Sequence, residues 1–194
     1  MVQRICVFCG SSSGNDPAYE DAARSLGETL AESGITLVYG GGHVGLMGVV
    51  ANAALASGGE AVGVIPKSLV ELEISHNGLT DLHVVGSMHE RKALMSELSE
   101  GFIALPGGTG TMEEFFEVLT WAQLGEHGKP CGLLNIAGYY DPLLALFDHM
   151  VDKGFLSETN RSIVLVETEP AALLRRFAEY RPPQTPKWID SSET

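Results

Sequence analysis

The residues best suited to chemistry lie in two short segments, Met88-His-Glu-Arg91-Lys92 and Pro106-Gly107-Gly108-Thr109-Gly110-Thr111-Met112-Glu113-Glu114. The second follows an apolar run and opens a helical pattern. Its glycines therefore stand where a helix N-terminus offers unpaired N–H groups and a partial positive charge. Without a Cβ in the way, such a turn lets backbone approach an anion, and phosphate is the ligand it suits. Gly10-Ser-Ser-Ser-Gly14 and Gly40-Gly-Gly-His-Val-Gly45 have the same character.

Each candidate also has a structural explanation. Thr111-x-x-Glu114 spells a capping box, which alone accounts for the spacing. Glu113, Glu117 and Thr120 recur at i, i+4 and i+7, a polar stripe that suits a solvent-facing surface. Arg91 and Lys92 near a helix start are disfavoured by the dipole by a few tenths to ~1 kcal/mol, which points to an anionic ligand. The alternative is a solvated face paired with Glu90 or Glu97.

Other motifs are weaker. Gly40, Gly42 and Gly45 match G-x-G-x-x-G, but the next strand ends Ile65-Pro66-Lys67 where a dinucleotide site needs an acidic residue. Cys6-x-x-Cys9 lies inside an apolar run, where cysteine behaves as a small buried hydrophobe rather than a redox pair. With Cys131 the count is odd, so a disulfide framework is not expected. His43, His76, His83, His89, His127 and His149 show no metal-ligand spacing, and no metal site is expected.

These segments must be positioned by elements that alternate between short apolar, β-branched runs and helical patterns. The runs are Arg4–Cys9, Thr36–Tyr39, Glu60–Ile65, Asp81–Val85, Gly101–Leu105, Cys131–Asn135 and Ser162–Val166. The helical patterns span Pro17–Ser33, Leu46–Ser57, Met88–Leu98, Thr111–Leu124, Tyr140–Lys153 and Glu169–Tyr180. Nearly all-apolar strands joined by crossover helices predict an α/β, Rossmann-like, doubly wound and mainly parallel sheet with helices on both faces. All three glycine turns then share the sheet's carboxyl edge, where ligands bind.

At 194 residues the chain suits a single nucleotide-binding catalytic domain, residues 1–181, with a polar, proline-interrupted tail, residues 182–194, expected to be loosely held. The formal charge of −13 disfavours nucleic acid and anionic membrane surfaces as partners and leaves a small molecule. No run approaches the ~18 apolar residues of a membrane helix, and Met-Val-Gln-Arg enters the first strand without a signal-peptide core, so a cytoplasmic location is expected.

On its paired motifs, the sequence resembles the LOG ("Lonely Guy") family of cytokinin riboside 5′-monophosphate phosphoribohydrolases, often labelled lysine decarboxylases. The similarity runs from Ile5 to about Tyr180 and includes Cys9-Gly-Ser-Ser, Val38-Tyr-Gly-Gly-Gly, Gly45-Leu-Met-Gly48 and Ile65-Pro66-Lys67. The resemblance implies substrate contacts from Glu73, Arg91, Lys92, the run Gly107, Gly108, Thr109, Gly110, Thr111, Met112, Glu113 and Glu114, and Thr120. It implies Arg91 and Glu114 as the catalytic pair, a purine nucleoside monophosphate (AMP or an N6-modified derivative) as substrate, and a homodimer.

Cleavage between ribose C1′ and a purine nitrogen builds positive charge on the sugar, and a nearby carboxylate stabilises it. At a helix N-terminus Glu114 is expected to stay ionised and to orient water. Arg91 would grip the phosphate or the departing base in a fixed fork, with Lys92 secondary. No cofactor is expected: Lys67, Lys92, Lys129, Lys153 and Lys187 offer no convincing pyridoxal-phosphate context. The competing reading is a non-catalytic nucleotide-binding or carrier module on the same fold.

Overall fold

The computed structural model describes residues 2–70 and 75–183. Seven strands, β1 Arg4–Phe8, β2 Thr36–Tyr39, β3 Ala61–Pro66, β4 Asp81–Val85, β5 Gly101–Ala104, β6 Cys131–Leu134 and β7 Val164–Glu167, pair in parallel throughout. Their order is β4-β3-β2-β1-β5-β6-β7. Between them run α1 Pro17–Glu32, α2 Gly45–Ala56, α3 Lys67–Val70, α4 Met88–Glu97, α5 Thr109–Leu124, α6 Asp141–Asp152, α7 Glu158–Arg161 and α8 Pro170–Glu179. The doubly wound parallel sheet expected from the alternation is what forms. The short α3 and α7 had no periodic pattern to reveal them.

Side chains alternate across each strand, so one sequence feeds two cores. Ile5, Val7 and Ile103 pack with Leu26 and Leu30 of α1, Val50 of α2 and Leu173 of α8. Cys6, Phe8 and Phe102 face the other way, onto Met95 of α4, Phe115 and Val118 of α5, and Phe147 of α6. Cys6, Cys9 and Cys131 are buried and free. Burial pushes the Cys9 thiol well above its ordinary range, which removes the thiolate that redox chemistry needs.

After β1 the chain winds outward through β2, β3 and β4, then returns to lay β5 along the other side of β1. The carboxyl ends of β1 and β5 therefore border the topological switch point, where connections diverge and leave a crevice. Among the described residues no helix is long and apolar enough to cross a membrane. Residues 184–194 of the expected tail lie outside the described residues.

Candidate active site

Helix α4 is started by Ser87, whose hydroxyl accepts the Glu90 N–H at 3.1 Å, while Glu90 accepts the Gly86 N–H at 2.8 Å. This S-x-x-E arrangement caps the helix that carries Arg91 and Lys92. The capping box expected at Thr111 and Glu114 does not form. Helix α5 begins two residues earlier, with Gly108 as its N-cap and no side-chain cap. Thr111 is thus already inside the helix, and Glu114 sits in its second turn.

Arg91 is buried although charged. Its Nε donates to the Val64 carbonyl at 3.1 Å and Nη2 to the Gly40 carbonyl at 3.2 Å, so β3 and the end of β2 hold the guanidinium. A Cβ at position 40 would collide with that guanidinium, so this glycine makes room for an arginine rather than for a dinucleotide. Nη1 lies 3.5 Å from Glu114 Oε1, and the two side chains are only 10% and 12% exposed.

Lys92, one residue on, turns to α5. Its ammonium pairs with Glu113 and, at 3.0 Å, with Glu117. Neither Glu90 nor Glu97 is its partner, contrary to the sequence-based alternative, and these carboxylates hold its pKa above the ordinary lysine value.

Burial pushes the Glu114 carboxyl above its ordinary pKa. Arg91 and then Lys92 pull it back, while Glu113 and Glu117 push it further up. The helix N-terminus is not what acts on this carboxyl: the dipole's benefit fades within the first turn, and Glu114 lies beyond it, in a desolvated position beside Arg91.

Arg91 and Glu114 line a cavity of about 320 Å³ together with Gly108, Thr109, Gly110, Thr111 and Glu113. A second cavity, about 330 Å³, adjoins it at Ser11 and Gly108 and is bordered by Gly107, Tyr19 and Tyr139. A Cβ on Gly108 or Gly110 would meet nothing within 4 Å, so both border open space, whereas one on Gly107 would strike Thr111 and the Gly10 nitrogen. An α5 N-terminus, three glycines and an adjoining serine loop lie beside the buried Arg–Glu pair, an arrangement whose chemistry suits an anion.

Three expected contacts are not brought to the cavity. Lys92 is committed to α5; Met112 packs with the core beneath α5; the exposed Thr120 donates its hydroxyl to the Phe116 carbonyl at 2.7 Å. Glu73 lies outside the described residues. Ser11, Met47, Met88 and Met95 also line the cavity, although none is among the substrate contacts that the resemblance implied. The serine turn after β1 was the available signal for Ser11, and Met88 and Met47 stand inside quoted motifs; Met95 carried none, since a lone thioether in a helix reads as core. Among the described residues no group of three or more His, Cys, Asp or Glu could hold a metal ion.

A protein-family profile described as "Possible lysine decarboxylase" matches residues 47–177. A cytokinin riboside 5′-monophosphate phosphoribohydrolase of Arabidopsis thaliana is 52% identical over 180 residues, covering 93% of this chain and 83% of the relative. The corresponding enzyme of Oryza sativa subsp. japonica is 49% identical over 180 residues, 93% of this chain and 74% of the relative. Among solved structures, the molybdenum cofactor carrier protein of Chlamydomonas reinhardtii superposes with a TM-score of 0.67 at 22% identity, covering 93% of this chain and all of that one. That likeness is one of fold.

Proposed function

The chain belongs to the LOG family of cytokinin riboside 5′-monophosphate phosphoribohydrolases, and from that premise we propose that it hydrolyses the N-glycosidic bond of purine nucleoside 5′-monophosphates, releasing free base and ribose 5-phosphate. The observation that carries this reading is the buried pair of Arg91 and Glu114, 3.5 Å apart, beside the glycine-lined start of α5.

The phosphate binds at the Gly107–Thr111 turn, where helix N–H groups compensate a dianion in an otherwise acidic protein. Binding energy at this remote group fixes C1′ against the buried pair. As the C1′–N bond breaks, the Glu114 carboxylate stabilises the cationic sugar and accepts a proton from the attacking water, and that proton passes on to the departing base nitrogen; a carboxylate whose proton affinity burial has raised is the better base for that step. Two nitrogens of Arg91 are already spent on the Val64 and Gly40 carbonyls, so its remaining edge serves the reacting end beside Glu114 rather than the phosphate. The reaction consumes only water.

Met47, Met88 and Met95 add a polarizable apolar wall to the cavity, suited to a purine face and to an N6-alkyl group. The substrate class we infer therefore includes N6-modified monophosphates beside AMP. We further infer one catalytic domain over residues 1–181, acting as a cytoplasmic homodimer, as expected from the sequence.

Chromatographic detection of base and ribose 5-phosphate from AMP and from isopentenyladenosine 5′-monophosphate tests the reading. Release by wild type and not by Glu114→Gln supports it. Intact nucleotide bound without turnover overturns it in favour of a carrier.

A further inference from the structure

Neither residue flanking the Gly107–Gly108 peptide has a Cβ, so no side chain of its own limits that peptide's rotation. Peptide planarity makes its orientation decisive: wherever the Gly107 carbonyl points, the Gly108 N–H points the opposite way. A flipped peptide would turn an oxygen toward the anion instead of a donor.

Tyr139 occupies that carbonyl. Its hydroxyl donates to the Gly107 oxygen from the rim of the second cavity, whereas Arg91 and Glu114 line the first. Tyr139 is held in turn by edge-to-face contacts with Tyr19, at 5.7 Å, and Tyr140, at 5.0 Å. Tyr140 is anchored by its own hydroxyl to the Leu105 carbonyl at 2.6 Å and by its N–H to Asn135 Oδ1 at 2.7 Å. Two consecutive tyrosines after β6 thus brace two carbonyls of the β5–α5 turn.

We propose that Tyr139 is a positioning residue for phosphate recognition: its hydroxyl locks the Gly107–Gly108 peptide so that the Gly108 N–H is presented to the substrate's phosphate. The lock also polarises that peptide, since a carbonyl accepting a hydrogen bond strengthens the N–H it shares a plane with. The proposal rests on the reading that the phosphate sits at the start of α5.

The test uses calorimetric binding of ribose 5-phosphate and of free adenine to wild type and to Tyr139→Phe, which keeps the ring contacts and deletes only the hydroxyl. Ribose 5-phosphate should bind about threefold to tenfold more weakly to the variant, the scale of one hydrogen bond, while adenine binds equally to both. With AMP, the same factor should appear in KM and leave kcat within about twofold. Unchanged binding of ribose 5-phosphate, or equal weakening of both ligands, overturns the proposal. Wild-type protein that fails to bind ribose 5-phosphate overturns the phosphate cradle and the proposal with it. Binding that responds as expected in a protein that releases no base instead isolates the failure to the hydrolase reading.

Discussion

Arg91 Nη1 and Glu114 Oε1 lie 3.5 Å apart with both side chains about nine-tenths buried, one carried by α4 and the other by α5. Neither charge has water to rely on, so each depends on the other, and the Arg91 guanidinium depends further on two strand-end carbonyls.

Removing the carboxylate tests its chemistry. Glu114→Gln keeps the shape and a hydrogen-bonding end but cannot accept a proton, and kcat should fall about 10²- to 10⁴-fold. Because α5 is not capped by Glu114, the helix should survive, and an unchanged circular dichroism spectrum would show it.

Removing the cation tests stability as well. Arg91→Met leaves a buried carboxylate and the Gly40 and Val64 carbonyls without their donor, and should cost about 3–5 kcal/mol in urea denaturation. Part of that loss should return at acidic pH. Glu114 has a raised pKa in the fold, so it binds its proton more tightly folded than unfolded; its unfavourable buried charge vanishes as pH falls through that pKa.

Activity should follow the same ionisation. As pH falls, kcat/KM for AMP should drop with a midpoint above the ordinary glutamate value of 4.5. Lys92→Met should move this midpoint further up, since it removes a charge that pulls Glu114 down and releases Glu113 and Glu117, which push it up. A Lys92 that touches substrate would instead raise KM and leave the midpoint in place.

The glycines of the cradle should separate by role. Gly107→Ala drives a methyl group into Thr111 and the Gly10 nitrogen and should destabilise the fold. Gly108→Ala meets no protein atom, so its melting temperature should stay near wild type while AMP affinity falls, because the methyl enters the ligand's space. Calorimetric binding beside thermal unfolding distinguishes the two.

Much was legible in the residues alone. Apolar β-branched runs alternating with helical periods determined a parallel sheet, because strands buried on both faces cannot carry polar residues and crossover helices force their direction. Parallel direction in turn put all three glycine turns on one edge, and the pairing of the Arg91-Lys92 and Pro106–Glu114 motifs identified the family.

Tertiary structure decided what local pattern could not. A capping box at Thr111 and a helix capped at Gly108 draw on the same stretch of residues, and only the backbone's path at the end of β5 chose between them. Adjacent cations on α4 point to different partners, Arg91 inward to Glu114 and Lys92 across to Glu113 and Glu117, since successive helical residues lie about 100° apart around the axis. The Glu114 pKa rises chiefly because the fold buries it, an effect of desolvation that no spacing of charges in the chain encodes. Tyr139 reaches Gly107 across 32 residues of sequence, and that contact exists only because β6 lies next to β5.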